Sequence, residues 1–144
     1  MQKISDFMTR NVQVVRPDES LQRAAQVMDE LNVGALPVCD QNGLVGMITD
    51  RDITVRATAA GLSGDTRVAD AMTDHARWCT GAQTAQEAMQ QMADVQIRRL
   101  PVLDAQRQVV GIVSLGDLAT RHQGHVAAAL RRSSDPSMPD RPSN

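Results

Sequence analysis

The stretch Gly46-Met47-Ile48-Thr49-Asp50-Arg51-Asp52 recurs as Gly111-Ile112-Val113-Ser114-Leu115-Gly116-Asp117. Each copy reads glycine, two apolar residues, a hydroxyl residue, two variable positions and aspartate. This pattern predicts a strand that ends at the hydroxyl residue, where a helix begins. An ionised carboxylate accepts hydrogen bonds through two oxygens, so the aspartate can hold both hydroxyls of a ribose diol. The doubled motif therefore predicts two related pockets.

The same spacing also has a purely structural interpretation. Thr49 with Asp52, and Ser114 with Asp117, resemble a capping box, in which two side chains satisfy backbone amides where a helix begins. The two interpretations are compatible, because a helix N-terminus is itself favourable for an anion. The motif alone leaves both open.

Other segments show that the whole chain is an internal repeat. Two of them recur after 64 residues, namely Met8-Thr9 as Met72-Thr73 and Leu36-Pro37-Val38 as Leu100-Pro101-Val102. Gly46 recurs after 65 residues as Gly111, so one residue is inserted in the turn that follows Asp104. A structural repeat tolerates an insertion in a turn.

Periodicity and turn signals predict the order β-α-β-β-α in each repeat. In the first repeat we expect a helical lead-in at 5–8, a strand at 12–15, a helix after Ser20, strands at 35–39 and 44–49, and a helix to about residue 60. In the second we expect a lead-in at 69–72, a strand at 76–80, a helix at 84–95, strands at 99–103 and 109–114, and a helix from 116 to 130. The first long helix presents an apolar stripe of Leu21, Ala24, Ala25, Val27, Met28 and Leu31.

These elements define the predicted domain organisation. One repeat covers residues 4–60, a linker covers 61–67 and a second repeat covers 68–130. Residues 131–144 contain three prolines and four serines, which predicts a disordered tail. His122 and His125 have no third ligand nearby in sequence, so no metal site is predicted.

Composition narrows the class of protein. Hydrophobic residues make up 42% of 144 residues and aromatic residues are nearly absent, so the core must be aliphatic and methionine-rich. The net charge of −2 does not favour a nucleic-acid or anionic-membrane partner. Cys39 and Cys79 form no C-x-x-C pair, and the N-terminus has no apolar signal region. We expect a soluble, cytoplasmic protein with reduced thiols, and a Cys39–Cys79 disulfide is the alternative.

The element order and the two repeated motifs resemble a tandem pair of CBS domains, often called a Bateman module. The resemblance covers residues 4 to about 125 and is greatest to small stand-alone bacterial CBS-pair proteins, with Thr49-Asp50-Arg51-Asp52-Ile53 in the first repeat. It implies an α/β fold of two β-α-β-β-α repeats packed with pseudo-twofold symmetry, and a homodimer. It also implies a regulatory sensor of adenosine-containing ligands such as AMP, ADP, ATP or S-adenosylmethionine.

The resemblance implies roles for individual residues. Thr49, Asp52, Ser114 and Asp117 would bind ribose, and Arg51, Arg98 and Arg99 would bind phosphate. The residues lining the base slots would be Val15, Gly34, Ala35, Leu36, Pro37, Cys79, Leu100 and Pro101. Arg98 and Arg99 would reach across the repeats to the pocket of Asp52, while Gly34 and Ala35 bring no charge to the pocket of Asp117. As alternatives, the arginines are solvated surface charges and the prolines are ordinary strand-entry residues.

The predicted function is therefore a metabolite or energy sensor with no catalytic residue and no catalytic cofactor. The sequence contains no dinucleotide-binding, P-loop or nucleophile-elbow motif. The alternatives are a ligand-free dimerising adaptor, a hydrolase that uses Asp50 or Asp52, and a nucleic-acid binder that uses the arginines. An unidentified regulated protein is a further expected partner, whereas nucleic acid and membrane are not expected.

Overall fold

In the computed structural model, which describes residues 2–121, the two long helices begin at hydroxyl caps. Ser20 Oγ accepts the Arg23 N–H at 3.1 Å and begins α1 (Leu21–Leu31). Thr84 Oγ1 accepts the Glu87 N–H at 3.1 Å and begins α3 (Ala85–Val95). Such caps satisfy amides that have no partner within the helix. Each helix ends at a left-handed residue, Asn32 or Gln96.

Each long helix is followed by a β-hairpin, as predicted. The first hairpin pairs β1 (Ala35–Asp40) with β2 (Gly43–Thr49), and Gly43 has the positive φ of 112° that its turn requires. After two short strands, β3 (Thr73–Asp74) and β4 (Cys79–Thr80), the second hairpin pairs β5 (Arg99–Leu103) with β6 (Val109–Ser114).

A helix leaves the end of each hairpin. β2 leads into α2 (Asp50–Asp52), which continues as a π-helix over Ile53–Thr58. β6 leads into α4 (Leu115–Arg121). The helix expected from residue 50 to about 60 is therefore present over 50–58, but only its first turn is α-helical, because the carbonyl of Thr54 accepts from the fifth residue along the chain, Ala59.

The elements form two compact units, each with one three-stranded sheet. The β1–β3 unit contains residues 12–76 and 106–108, and its sheet has the order β1-β2-β3. The β4–β6 unit contains residues 2–11, 77–105 and 109–121, and its sheet has the order β4-β5-β6. The prediction of an α/β fold is confirmed.

Each unit combines a hairpin with the lead-in of the other repeat. The lead-ins are residues 4–9 and 68–74. Each begins with a 3-10 helix, at Ile4–Asp6 or at Val68–Asp70. Ile4 is buried in the core of the β4–β6 unit, and Val68 is buried in the core of the β1–β3 unit. Thr9 then pairs with Ile112 of β6, as Thr73 pairs with Met47 of β2. The two lead-ins are thus exchanged between the repeats.

The cores are aliphatic and methionine-rich, with Phe7 as the one buried aromatic side chain among the described residues. In the β1–β3 unit the core contains Val15, Leu21, Ala24, Val27, Met28, Leu36, Val38, Ile48, Ala57, Val68 and Ala71. In the β4–β6 unit it contains Ile4, Phe7, Cys79, Ala85, Ala88, Met89, Met92, Leu100, Val102, Val113 and Leu118.

Some predicted details of these elements were wrong. Ala25 and Leu31 are exposed, so the apolar stripe of α1 is narrower than expected. The expected strand at 12–15 is reduced to a single bridge between Val15 and Val38, because only Val15 lies against the sheet. The strand expected at 76–80 is only Cys79–Thr80, and β3 was not expected at all.

The repeated glycines allow the exchanged lead-ins to pack on the sheets. A Cβ at Gly46 would lie 2.6 Å from the Thr73 carbonyl oxygen, and one at Gly111 would lie 2.8 Å from that of Thr9. The sulfur atoms of Met72 and Met8 lie equally close, at 2.9 and 2.7 Å. The recurrence of the Met-Thr pair together with the glycine therefore has a direct steric cause.

The described residues do not include three of the predicted features. These are the extension of α4 to residue 130, the tail at 131–144, and His122 with His125.

Because a backbone carbonyl limits the space at Gly111, we predict that Gly111→Ala lowers the free energy of unfolding by about 1–3 kcal/mol, the usual cost of overpacking. Urea denaturation of the ligand-free protein measures this loss. The control is Gly116→Ala in the same unit, where a Cβ would meet only Ser114 Oγ at 3.7 Å. Equal stability of Gly111→Ala and wild type would contradict the steric explanation.

Candidate ligand sites at the two strand-to-helix corners

The hydroxyl and the carboxylate of each motif meet in a reciprocal capping box. At the first, which we call the Asp52 corner, Thr49 Oγ1 accepts the Asp52 N–H and Asp52 Oδ2 accepts the Thr49 N–H, both at 3.0 Å. At the Asp117 corner, Ser114 Oγ accepts the Asp117 N–H at 3.0 Å and Asp117 Oδ2 accepts the Ser114 N–H at 3.3 Å. The capping interpretation is confirmed at both corners.

These caps leave part of the hydrogen-bonding capacity of each corner unused. In its cap, each hydroxyl acts only as an acceptor, so its O–H can still donate to a ligand. Each cap also uses a single carboxylate oxygen, and the second oxygen can accept from a ligand hydroxyl. The ribose-binding role of these four residues stays a prediction, and the caps are compatible with it.

The start of each Leu-Pro-Val strand is tied to the corner of its own unit. The Asp50 N–H donates to the Gly34 carbonyl at 2.9 Å, and the Leu115 N–H donates to the Arg98 carbonyl at 2.8 Å. Across the hairpins, Ala35 pairs with Thr49 and Arg99 pairs with Ser114. The backbone of Gly34 and Ala35 thus lies at the Asp52 corner, and that of Arg98 and Arg99 lies at the Asp117 corner.

Arg56 is a charged neighbour of Asp52 that the sequence analysis missed. Its Nε lies 3.7 Å from Asp52 Oδ1, and the Asp52 side chain is only 13% exposed. The available signal was the four-residue spacing from aspartate to arginine, which recurs between Asp117 and Arg121.

The predicted phosphate ligands differ in exposure. The residue beside Asp52, Arg51, is exposed, whereas Arg98 and Arg99 are half-buried. The predicted reach of Arg98 and Arg99 across the repeats to the ligand at Asp52 stays a prediction.

The predicted base-slot side chains are buried in the cores of their own units. Val15 and Leu36 lie in the core of the β1–β3 unit, and Cys79 and Leu100 lie in that of the β4–β6 unit. Gly34, Ala35, Pro37 and Pro101 are buried as well. Val14 and Trp78, which directly precede Val15 and Cys79 in the chain, are each 40% exposed and occupy equivalent positions of the two repeats. Sequence analysis missed them because it considered only the inward-facing residue of each strand.

The two cysteines are free thiols in different environments. Burial raises the pKa of the Cys79 thiol to about 12. Burial, and then the charge of Asp40, raise the pKa of the half-buried Cys39 thiol above its usual value. The reduced state of both thiols stays a prediction, and Cys39 and Cys79 lie in different units.

The β1–β3 unit has a surface cavity of about 480 Å³. It is lined by α1, by the π-helix and by the linker, through Leu21, Gln22, Ala25, Ile53, Ala57, Thr58, Leu62, Ser63, Gly64 and Asp65. None of the predicted ligand residues belongs to it, so cavity size alone would point to a different place from the motif chemistry. The candidate ligand sites are the two corners, because both repeats place a hydroxyl and a carboxylate together at the end of a strand.

The described part of the chain contains neither a candidate metal-ligand cluster nor a membrane-spanning helix. Within residues 2–121, no group of three or more His, Cys, Asp or Glu side chains is placed to hold a metal ion. No helix in that part is long and apolar enough to cross a membrane.

A family model of the CBS domain matches residues 4–57 and again residues 68–123. The two matches cover most of the chain and contain one corner each. The chain therefore belongs to the CBS-domain family, as a tandem pair of CBS domains.

Relatives and solved structures agree with this assignment. The CBS domain-containing protein YhcV of Bacillus subtilis is 44% identical over 128 residues, which are 89% of this chain and 91% of YhcV. A crystal structure of CBSX2 in complex with AMP has a TM-score of 0.70 and 29% identity, covering 92% of this chain and 98% of that one. The CBS pair of MJ0100, in complex with 5-methylthioadenosine and S-adenosyl-L-methionine, has a TM-score of 0.77 and 26% identity, covering 86% and 98%.

Removal of a capping hydroxyl should destabilise its unit whether or not a ligand is present. We predict that Thr49→Val and Ser114→Ala each lower the free energy of unfolding by about 0.5–2 kcal/mol, the usual cost of losing an N-cap. The matched control is Thr54→Val, an exposed threonine in the helical segment that follows Thr49. A loss at Thr54 as large as that at Thr49 would show that the cap is not the cause. Denaturant titration measures all three.

The thiols should differ in reactivity. At pH 8 a thiol of pKa about 12 contains about a thousandfold less thiolate than an ordinary cysteine, so the folded protein should protect Cys79 from iodoacetamide. The half-exposed Cys39 should react faster, and its rate should rise as the pH is raised from 7 to 9. Peptide mass spectrometry measures both rates, and equal labelling in denaturant is the control. Equal labelling in the folded state would contradict the burial of Cys79.

Proposed function

We propose that this protein is a non-catalytic regulatory module that binds an adenine nucleotide at the Asp52 corner and acts as a metabolite or energy sensor. The observation that carries the proposal is the doubled corner, in which a strand end presents a hydroxyl and a carboxylate that keep hydrogen-bonding capacity beyond their caps. The AMP complex of CBSX2 and the S-adenosyl-L-methionine complex of MJ0100 support an adenosine-containing ligand.

At the Asp52 corner, the ribose diol donates to Asp52 and the Thr49 hydroxyl donates to a ribose or phosphate oxygen. The charge of the carboxylate strengthens the hydrogen bonds from the diol, and the charge of a phosphate would strengthen the bond from the Thr49 hydroxyl. The adenine base lies against the backbone of the apolar segment that begins at Gly34. The phosphate is held by the exposed Arg51 of the same corner.

The two sites are unequal in this proposal. At the Asp117 corner, Leu115 and Gly116 stand where the first repeat has Asp50 and Arg51, so this corner lacks a counterpart of the Arg51 guanidinium. It therefore binds nucleotides more weakly, or prefers an uncharged adenosyl group.

Sensing requires that the nucleotide prefers one arrangement of the protein over another. A ligand that contacts both repeats provides such a preference, and its binding stabilises the fold by mass action. We further propose that the protein acts as a homodimer in the cytoplasm and transmits its state to a regulated partner protein.

Isothermal titration calorimetry with AMP tests the proposal. Asp52→Asn keeps one acceptor for the Thr49 N–H but replaces a charged acceptor by an amide donor, so it should weaken AMP binding about tenfold or more. Asp117→Asn should have little effect on the tighter site. Asp50→Asn is the matched control, because it removes the same charge from an exposed residue of the same turn.

Two results would count against the proposal in different ways. If wild type binds none of AMP, ADP, ATP and S-adenosylmethionine, the sensor function is wrong. If Asp52→Asn and Asp117→Asn weaken AMP binding equally, the inequality of the two sites is wrong while the sensor function stands.

A dimerising adaptor without a ligand is the second candidate. It is favoured by large apolar side chains exposed on the β1–β3 unit, among them Leu31, Val33 and Val55 at 37–48% exposure. Native mass spectrometry of the purified protein separates the two functions. A dimer without retained nucleotide, combined with no binding in calorimetry, would favour the adaptor.

A further inference from the structure

The Arg56 side chain connects two parts of the β1–β3 unit that are distant in sequence. Its Nε lies 3.7 Å from Asp52 Oδ1, and its Nη1 donates to the Met72 carbonyl at 3.1 Å. One guanidinium can do both, because its N–H groups form a planar fork with several donors. Arg56 is thus shared between the carboxylate of the Asp52 corner and the backbone of the exchanged lead-in.

The backbone that positions Arg56 has a rare helical conformation. It lies within the π-helix at Ile53–Thr58, which begins directly after Asp52. π-helical turns are rare and occur frequently at functional sites.

The Met72 carbonyl belongs to a segment with little freedom to move independently. The next residue, Thr73, pairs with Met47 of β2, and its own carbonyl lies against Gly46. Along the chain, this segment joins the Val68–Asp70 helix to the rest of the second repeat. A change at Met72 is therefore passed to the backbone that leads out of the β1–β3 unit.

We propose that Arg56 is a positioning residue for Asp52 and the link through which occupancy of the Asp52 corner reaches the lead-in at residues 68–74. Without ligand, Asp52 Oδ1 orients the guanidinium and Arg56 holds the Met72 carbonyl. When ribose hydroxyls donate to Asp52, the carboxylate shares its charge between the ligand and Arg56. The hydrogen bond from Arg56 Nη1 to the Met72 carbonyl then changes. This inference rests on the proposed nucleotide site, but its first half concerns the ligand-free protein.

Hydrogen exchange in the ligand-free protein tests the link, with peptides that cover residues 68–76. Arg56→Met should speed exchange of the Thr73 and Asp74 amides about two- to fivefold, the range expected for one partly exposed ion pair and its hydrogen bond. Asp52→Asn should do the same in wild type but add nothing in the Arg56→Met background. Asp50→Asn is the matched control, because it removes a carboxylate charge from an exposed residue of the same turn without touching Asp52 Oδ1, and it should leave exchange at these amides unchanged.

Additive effects of Asp52→Asn and Arg56→Met, or an equal effect of Asp50→Asn, would overturn the link even if the nucleotide site is correct. In a second arm, AMP should alter exchange at residues 72–74 in wild type, and Arg56→Lys should restore part of this response that Arg56→Met abolishes. A full response to AMP in Arg56→Met would also overturn the inference. Absence of AMP binding by wild type in calorimetry would instead reject the proposed function. Hydrogen exchange of the two single variants and the double variant without ligand would still decide whether Arg56 is a positioning residue.

Discussion

The close approach of each lead-in to a glycine of the opposite repeat is the contact on which the rest of the structure depends. The carbonyl oxygens of Thr73 and Thr9 lie where the side chains of Gly46 and Gly111 would begin. Through this contact Thr73 joins the first sheet as part of β3, Thr9 forms a bridge to β6, and Val68 and Ile4 complete the cores. The same strands end, three residues later, in the hydroxyls of Thr49 and Ser114. The doubled motif is therefore composite, with glycine serving the fold and the hydroxyl and aspartate serving both the cap and the proposed ligand.

This composite character explains why the motif supports a structural and a functional interpretation together. The caps at Asp52 and Asp117 hold each carboxylate in one orientation before any ligand arrives. A preorganised carboxylate binds a diol with less loss of side-chain entropy than a free one. The caps and the proposed ligand thus use different hydrogen-bonding positions of the same few side chains, and a substitution at these positions affects both stability and the proposed binding.

The sequence predicted the elements whose signals are local. Ser20 and Thr84 marked the helix starts, and the apolar runs with an Asn-Gly turn marked the hairpins. The exchange of the lead-ins was not predictable in this way, because it depends on contacts between residues far apart in the chain, such as Thr9 with Ile112. β3 is two residues long and carries no periodicity, and no local pattern indicated the π-helix after Asp52. At the site, the corner itself was predictable, whereas the contact of Arg56 with the Met72 carbonyl was not.

The central claim is that the Asp52 corner is the preferred nucleotide site. An NMR titration with AMP that follows the backbone amides of Thr49, Asp52, Ser114 and Asp117 tests it most directly, because these amides donate to the capping oxygens. The account predicts that the Thr49 and Asp52 signals shift at lower AMP concentrations than those of Ser114 and Asp117. Shifts that begin at Ser114 and Asp117, or amides at both corners that do not respond to AMP, would contradict it.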